Sequence, residues 1–231
     1  MENFSVNYSE SLARRVTQVM KRVYVKMFLA LLVTAAVAFF CGNSYAVLSF
    51  MVNNTWAYWG ILIVEILLVL GISSSLTKFS SPVATALFYL FAIVNGISLS
   101  VIVAIYTPAS IFKTFLITSA VFGAMSIYGY FTTSDLTKVG SFLRMALIGM
   151  IIAIVINIFW ANSTLDWIIS IAGVLIFVGL TAWDTQKIKQ MASMIPDASA
   201  GRLATIGALS LYLDFINLFI YLLRFFGASR D

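Results

Sequence analysis

The sequence predicts an all-α, polytopic membrane protein of seven transmembrane helices, and three observations carry that prediction. The 231 residues are 61% hydrophobic and only 10% charged, with a mean hydropathy of +1.01, a balance foreign to soluble domains of this size. The sparse charges act as rulers: none occurs between Met27 and Val64, between Phe79 and Phe112, between Thr114 and Ser134, or between Met145 and Leu165. Each gap holds one or two spans of roughly 20 residues, the length that crosses a hydrocarbon core about 30 Å thick. Clusters of turn-forming residues separate the apolar stretches.

The first 26 residues are polar and basic and lack the apolar core and small-residue cleavage site of a signal peptide, so the first span is the expected insertion signal. Residues 1–23 read as a cytoplasmic basic or interfacial segment, and 24–231 as a single seven-helix transmembrane domain. Within the segment, Leu12, Val16, Val19 and Val23 form one helical stripe with Arg14, Arg15, Gln18, Lys21 and Arg22 around it. That pattern suits either a helix lying on anionic lipid or a plain basic tail that sets topology.

The spans are expected at about 24–42, 57–77, 82–106, 112–131, 142–161, 165–186 and 204–226. The breaks are "GNSYAVLSFMVNNTW", "SSSLTKFSSP", "TPAS", "TTSDLTKVG" and "ANSTLD". With the N-terminus in the cytoplasm, the interior receives Arg14, Arg15, Lys21, Arg22, Lys26, Lys78, Lys138, Arg144, Lys187, Lys189 and Arg202, and the exterior Lys113, Arg224 and Arg230. That asymmetry fixes the orientation of the first six spans. Arg224 and Arg230 oppose it, so the full crossing of span 7 rests on its length alone.

The rare residues narrow the chemistry. Histidine is absent, so any pH response near neutrality falls to carboxylates, and a histidine-ligated zinc hydrolase is excluded. Cys41 stands alone, which excludes an intrachain disulfide or a cysteine metal cluster. No cofactor and no nucleic-acid partner is expected.

Acids inside a bilayer are costly and mark functional sites. Asp135 and Asp166 fall in loops, and Glu2, Glu10, Asp197 and Asp231 outside the spans, which leaves Glu65, Asp184 and Asp214. Asp214 lies about 18 Å of helix beyond Arg202, too deep for its short side chain to reach water. Gly207, Ser210, Leu211, Asn217, Leu218 and Tyr221 share its face, and Asn217 is placed to support the carboxylate. Asp184 precedes Lys187 by only three residues, but nothing in "KIKQMASM" breaks a helix before Pro196. If Lys187 and Lys189 snorkel, span 6 runs to about Met194 and brings Asp184 to a depth matching Asp214.

Two carboxylates brought together in a low-dielectric interior cannot both ionise cheaply, so they share a proton and sense pH. Deprotonated, they offer the hard oxygens that calcium prefers, so H+ and Ca2+ would compete for Asp184 and Asp214. The bland reading pairs Asp184 with Lys187 at the interface and leaves Asp214 to a packing hydrogen bond. Glu65 either lines an ion pathway on the outer side or is neutral and hydrogen-bonded.

"VGLTAWDTQKIK" followed by "GALSLYLDFINLFIYLLRFFG" resembles the C-terminal signature of the Bax inhibitor-1 family, also called the transmembrane Bax-inhibitor-motif family. "SPVATALFYLFAIVNGISLS" and "FGAMSIYGYFTTSDLTKVGSFLRMALIGMIIAIVIN" resemble its central segments in bacterial members, and the resemblance runs from about 20 to 227. It implies seven helices with the last enclosed by the other six. It also implies a pH-sensitive calcium leak controlled by an aspartate pair, matched here by Asp184 and Asp214. Calcium is then a carried or weakly bound ion, and the inner membrane the location. The family's cationic partner from span 2 has no counterpart here, where span 2 carries Glu65 and no arginine. Bacterial relatives are also linked to restraint of an ATP-dependent membrane protease, which makes a regulatory protein acting through protein contacts the alternative. For that role, Gly123, Ser126 and Gly129 provide a small-residue stripe. An intramembrane aspartyl protease also sets two aspartates on neighbouring helices, but the bulky "LYLD" replaces the open Gly-x-Gly-Asp context such enzymes use.

Overall fold

The computed structural model describes residues 2–74 and 79–230. Four residues of the predicted break "SSSLTKFSSP", 75–78 with Lys78 among them, lie outside the described residues. Among the described residues the α-helices are α1 (Glu2–Gly42), α2 (Tyr45–Asn53), α3 (Thr55–Ser73), α4 (Ser81–Ile105), α5 (Pro108–Phe131), α6 (Thr137–Trp160), α7 (Ser163–Met194) and α8 (Ala200–Phe226). All except α2 are long and apolar enough to cross a membrane. The protein is an all-α, multi-pass membrane protein.

One loop differs from expectation. The first loop folds into α2, because "YAVLSFMV" is a continuous apolar run without a breaker between Ser44 and Asn54. Helix α1 runs unbroken through residue 23. Of the stripe that suits either a helix on lipid or a plain basic tail, Val16, Val19 and Val23 are buried and Leu12 is half-buried. Elsewhere the punctuation is local chemistry. Thr107 caps α5 by accepting from the Ser110 amide at 3.3 Å, with Pro108 following at a position that needs no donor. Ala161 ends α6 in the left-handed region at φ 46, and Asn157 and Asn162 accept from the amides of Asn162 and Leu165 at 3.0 Å across the turn into α7.

The contacts group the chain into two compact units. Unit one comprises residues 1–106, 188–212 and 230, and unit two the remaining 107–187, 213–229 and 231. In unit one α4 packs along both α1 and α3. A side chain at Gly96 would meet the Thr34 carbonyl at 2.9 Å, so only glycine lets α1 and α4 approach this closely. Phe88 and Phe91 of α4 set ring edges against Tyr212 at 5.8 and 5.6 Å, and the Tyr212 hydroxyl bonds Thr34 and Asn95 at 2.7 and 2.9 Å.

In unit two Phe215 packs between Phe115 and Phe122, and Tyr221 stacks on Phe177. Arg224 near the end of α8 pairs with Asp166 at 2.8 Å, at the start of α7. Just beyond α8, the Ala228 carbonyl accepts from the Thr107 amide at 3.0 Å. The end of α8 thus meets the start of α5 and the start of α7, where Asp166 pairs with Arg224. The candidate span within α8 is 72% buried, against 6% for those in α3 and α6. It is the interior span, as the resemblance implies.

Candidate functional site

Two features of α7 and α8 place a pair of acids inside the protein. Helix α7 continues past both lysines to Met194, so Asp184 lies about 15 Å of helix from that end. Asp214 lies about 21 Å beyond the start of α8 at Ala200. Asp184 is 8% and Asp214 4% exposed, both in unit two. Burial desolvates Asp214, and Asp184 and Lys187 are charged groups near enough to interact with it. Asp214 Oδ2 is fully buried and has no hydrogen-bond partner among the described residues. The same holds for the hydroxyls of Thr185, beside Asp184, and of Ser126 and Thr114 on α5. Buried polar atoms are nearly always satisfied, so this unit keeps acceptors that a proton, water or cation would complete.

The helix carrying Asp184 is fixed on three sides. A side chain at Gly129 of α5 would collide with the Ala182 backbone, and one at Gly140 of α6 with the Trp183 ring. Trp183 also carries the Arg144 guanidinium and the Lys187 ammonium at 4.6 and 4.7 Å from its ring centre. Gln186 ties α7 to the turn before α6: its Oε1 accepts from the Leu136 amide at 2.9 Å and its Nε2 donates to the Ser134 carbonyl at 2.8 Å. Both ends of the amide are used, so the rotation of α7 near Asp184 is set.

Several expected roles change. Asn217 donates to the Leu213 carbonyl at 2.8 Å, closing a bond on its own helix and leaving the carboxylate. Lys187, expected to snorkel into water, is half-buried over Trp183 and acts on Asp214. Its spacing three residues after Asp184 was the signal for this. Of the small-residue stripe, Gly129 makes the close approach, whereas a side chain at Gly123 would meet nothing. Glu65 belongs to unit one, where it accepts from Ser98 at 2.7 Å and Asn95 at 3.2 Å. Asn95 in turn accepts from Tyr212, so Glu65 ends a hydrogen-bonded chain running to Thr34. No cluster of three or more histidines, cysteines or acids gathers among the described residues.

A model of the family described as "Inhibitor of apoptosis-promoting Bax1" matches residues 16–231. The chain belongs to the Bax inhibitor-1 family. Among its relatives, an uncharacterized protein of Borreliella burgdorferi is 45% identical over 212 residues, 91% of each chain. The inner membrane protein YbhL of Escherichia coli is 44% identical over 214 residues, 91% of this chain and 92% of its own. An uncharacterized membrane protein of Streptococcus pyogenes is 41% identical over 182 residues, 79% of each. The match spans both units and includes Asp184 and Asp214, so the pair belongs to the part of this chain that the Bax inhibitor-1 model covers.

Proposed function

We propose that the protein is a pH-sensitive cation leak, with calcium as the carried ion, gated by protonation of the Asp184 and Asp214 pair. The observation that carries this reading is Asp214 itself: a carboxylate buried in the most enclosed span, near a second buried carboxylate, with one oxygen that has no partner among the described residues. A shared proton satisfies that oxygen and neutralises the pair. Without the proton, the pair presents hard oxygens to a cation. Two acids are too few for a protein-only calcium cage, which takes six to eight oxygens, so water or carbonyls complete the shell and binding is weak. Weak binding suits a path that ions must also leave.

Lys187 is the cation that balances the ionised pair, in place of the span 2 arginine that this chain lacks. Glu65, half-buried with its oxygen held by Ser98 and Asn95, is read as a supporting group. The reading is of a transport protein and not an enzyme, because Leu211 and Tyr212 before Leu213 and Asp214 are fully buried and leave a substrate backbone no approach. The E. coli relative's name supports the inner membrane as the location, and the charge asymmetry supports a cytoplasmic N-terminus.

The test is calcium flux into proteoliposomes holding the full chain, measured from acid to neutral pH. Wild type is expected to leak calcium with a pH-dependent rate, and Asp184→Asn and Asp214→Asn to lose that dependence. A leak with the same pH profile in all three proteins, or no leak at any pH, overturns the proposal.

A further inference from the structure

The aspartate pair leaves unused a second ionisable group inside a span. Lys26 lies in the candidate span Glu10–Gly42, and its ammonium donates to the hydroxyls of Thr85 and Thr205, each at 2.7 Å. Thr85 is in the second turn of α4 and Thr205 in the second turn of α8, so three helices of unit one converge on one cation. Thr205 is fully buried and Lys26 half-buried. No carboxylate among the described residues pairs with this lysine, and the charge that acts on it is another cation, Arg22, one turn earlier. Intramembrane lysines ordinarily face an acid, and two hydroxyls supply no counter-charge. An ammonium offers three donors, and two are taken.

Depth and surroundings indicate what supplies the missing charge. Lys26 is about 24 Å of helix from the far end of α1 at Gly42, close to the full thickness of a hydrocarbon core of about 30 Å. With Gly42 at the opposite surface, Lys26 falls about one helical turn inside the near one, a distance its long side chain spans to reach lipid headgroups. Beside it, Val25 and Leu29 on α1 and Val83 on α4 are exposed, a surface fit for acyl chains, and Arg22 is exposed toward the water. A basic pocket between helices at this depth is suited to an anionic headgroup.

We propose that Lys26, Thr85 and Thr205, with Arg22 at the rim, form a binding site for a phosphate-bearing anion, and that an anionic lipid headgroup fills it. The phosphate oxygens accept hydrogen bonds from the third Lys26 N–H and from the Arg22 guanidinium, while the acyl chains lie along Val25, Leu29 and Val83. The site stands apart from the aspartate pair in composition and asks nothing of calcium transport.

The probe is short-chain phosphatidylglycerol titrated onto the full-length protein in neutral detergent and read by native mass spectrometry, with phosphatidylcholine of the same chains and inorganic phosphate in parallel. Wild type is expected to prefer phosphatidylglycerol, Lys26→Arg to keep the preference, and Lys26→Gln to lose it by about fivefold to tenfold. Arg22→Gln, at an exposed position that leaves folding untouched, is expected to weaken it about fivefold and decides the matter if Lys26→Gln fails to fold. Phosphate binding that needs Lys26, without preference between the lipids, upholds the anion site and assigns it to free phosphate. Equal binding of both lipids and of phosphate by wild type, Lys26→Gln and Arg22→Gln overturns it.

Discussion

At the scale of single residues, Gln186 does more for the site than its polarity suggests. It answers a buried amide at Leu136 and the carbonyl of exposed Ser134, so Gln186→Ala orphans the Leu136 amide while removing no charge. The expected cost is about 1–3 kcal/mol for that amide left dry, measured as a lower unfolding midpoint in detergent. Gln186→Glu keeps the acceptor and loses the donor, and is expected to fall between the two. Asp135 gives a pH test that is independent of the membrane interior. Its exposed carboxylate accepts from the Thr137 amide at 2.9 Å and hydroxyl at 2.6 Å, and these bonds hold its pKa below the ordinary aspartate value. A lowered folded-state pKa means the contribution is present above the unfolded value and lost as pH falls through the folded one. Asp135→Asn is therefore expected to lower stability at neutral pH, to leave it unchanged below the folded-state pKa, and so to flatten the acid limb between, as followed by thermal unfolding across pH.

At the scale of elements, α7 decides whether there is a site at all. Had it stopped at the lysines, Asp184 would be an interfacial acid paired with water. Its continuation to Met194 follows from the absence of a breaker before Pro196, a negative signal that the sequence does carry. The contact at Gly129 holds α7 against α5 at the turn of helix before Asp184. Gly129→Ala puts a methyl group into the Ala182 backbone, which cannot rotate aside, and is expected to cost about 1–3 kcal/mol and to disturb the pH response together with stability. Gly123→Ala on the same helix meets open space and is expected to change neither. Thermal unfolding and flux, measured on both variants, separate the packed glycine from the free one.

At the scale of the whole molecule, spans and turns were legible because the bilayer imposes a length and charges punctuate it. The α2 helix was not, because the loop's turn residues at both ends outweighed the short apolar run between them. The burial of Val16, Val19 and Val23 was not legible for a related reason. An amphipathic pattern shows that one face is apolar and says nothing of what covers it. The depth of Asp184 and Asp214 could be read by counting residues along two helices, whereas the roles of Lys187 and Asn217 depended on side-chain direction. Counting gives depth and face but does not choose between a backbone carbonyl and a carboxylate as the partner of an amide. The grouping of the chain into two compact units, with α7 and α8 each contributing to both, also escaped a linear reading.

The account turns on the two aspartates acting as one proton-binding unit, and the most direct measurement is a double-mutant cycle on calcium flux against pH. Wild type, Asp184→Asn, Asp214→Asn and the double variant are reconstituted in matched amounts, and the midpoint of the pH dependence is read for each. Coupled carboxylates predict that either single change removes the wild-type midpoint and that the double variant adds nothing further. Two single variants that each retain the wild-type midpoint, or whose effects add independently in the double variant, would contradict it.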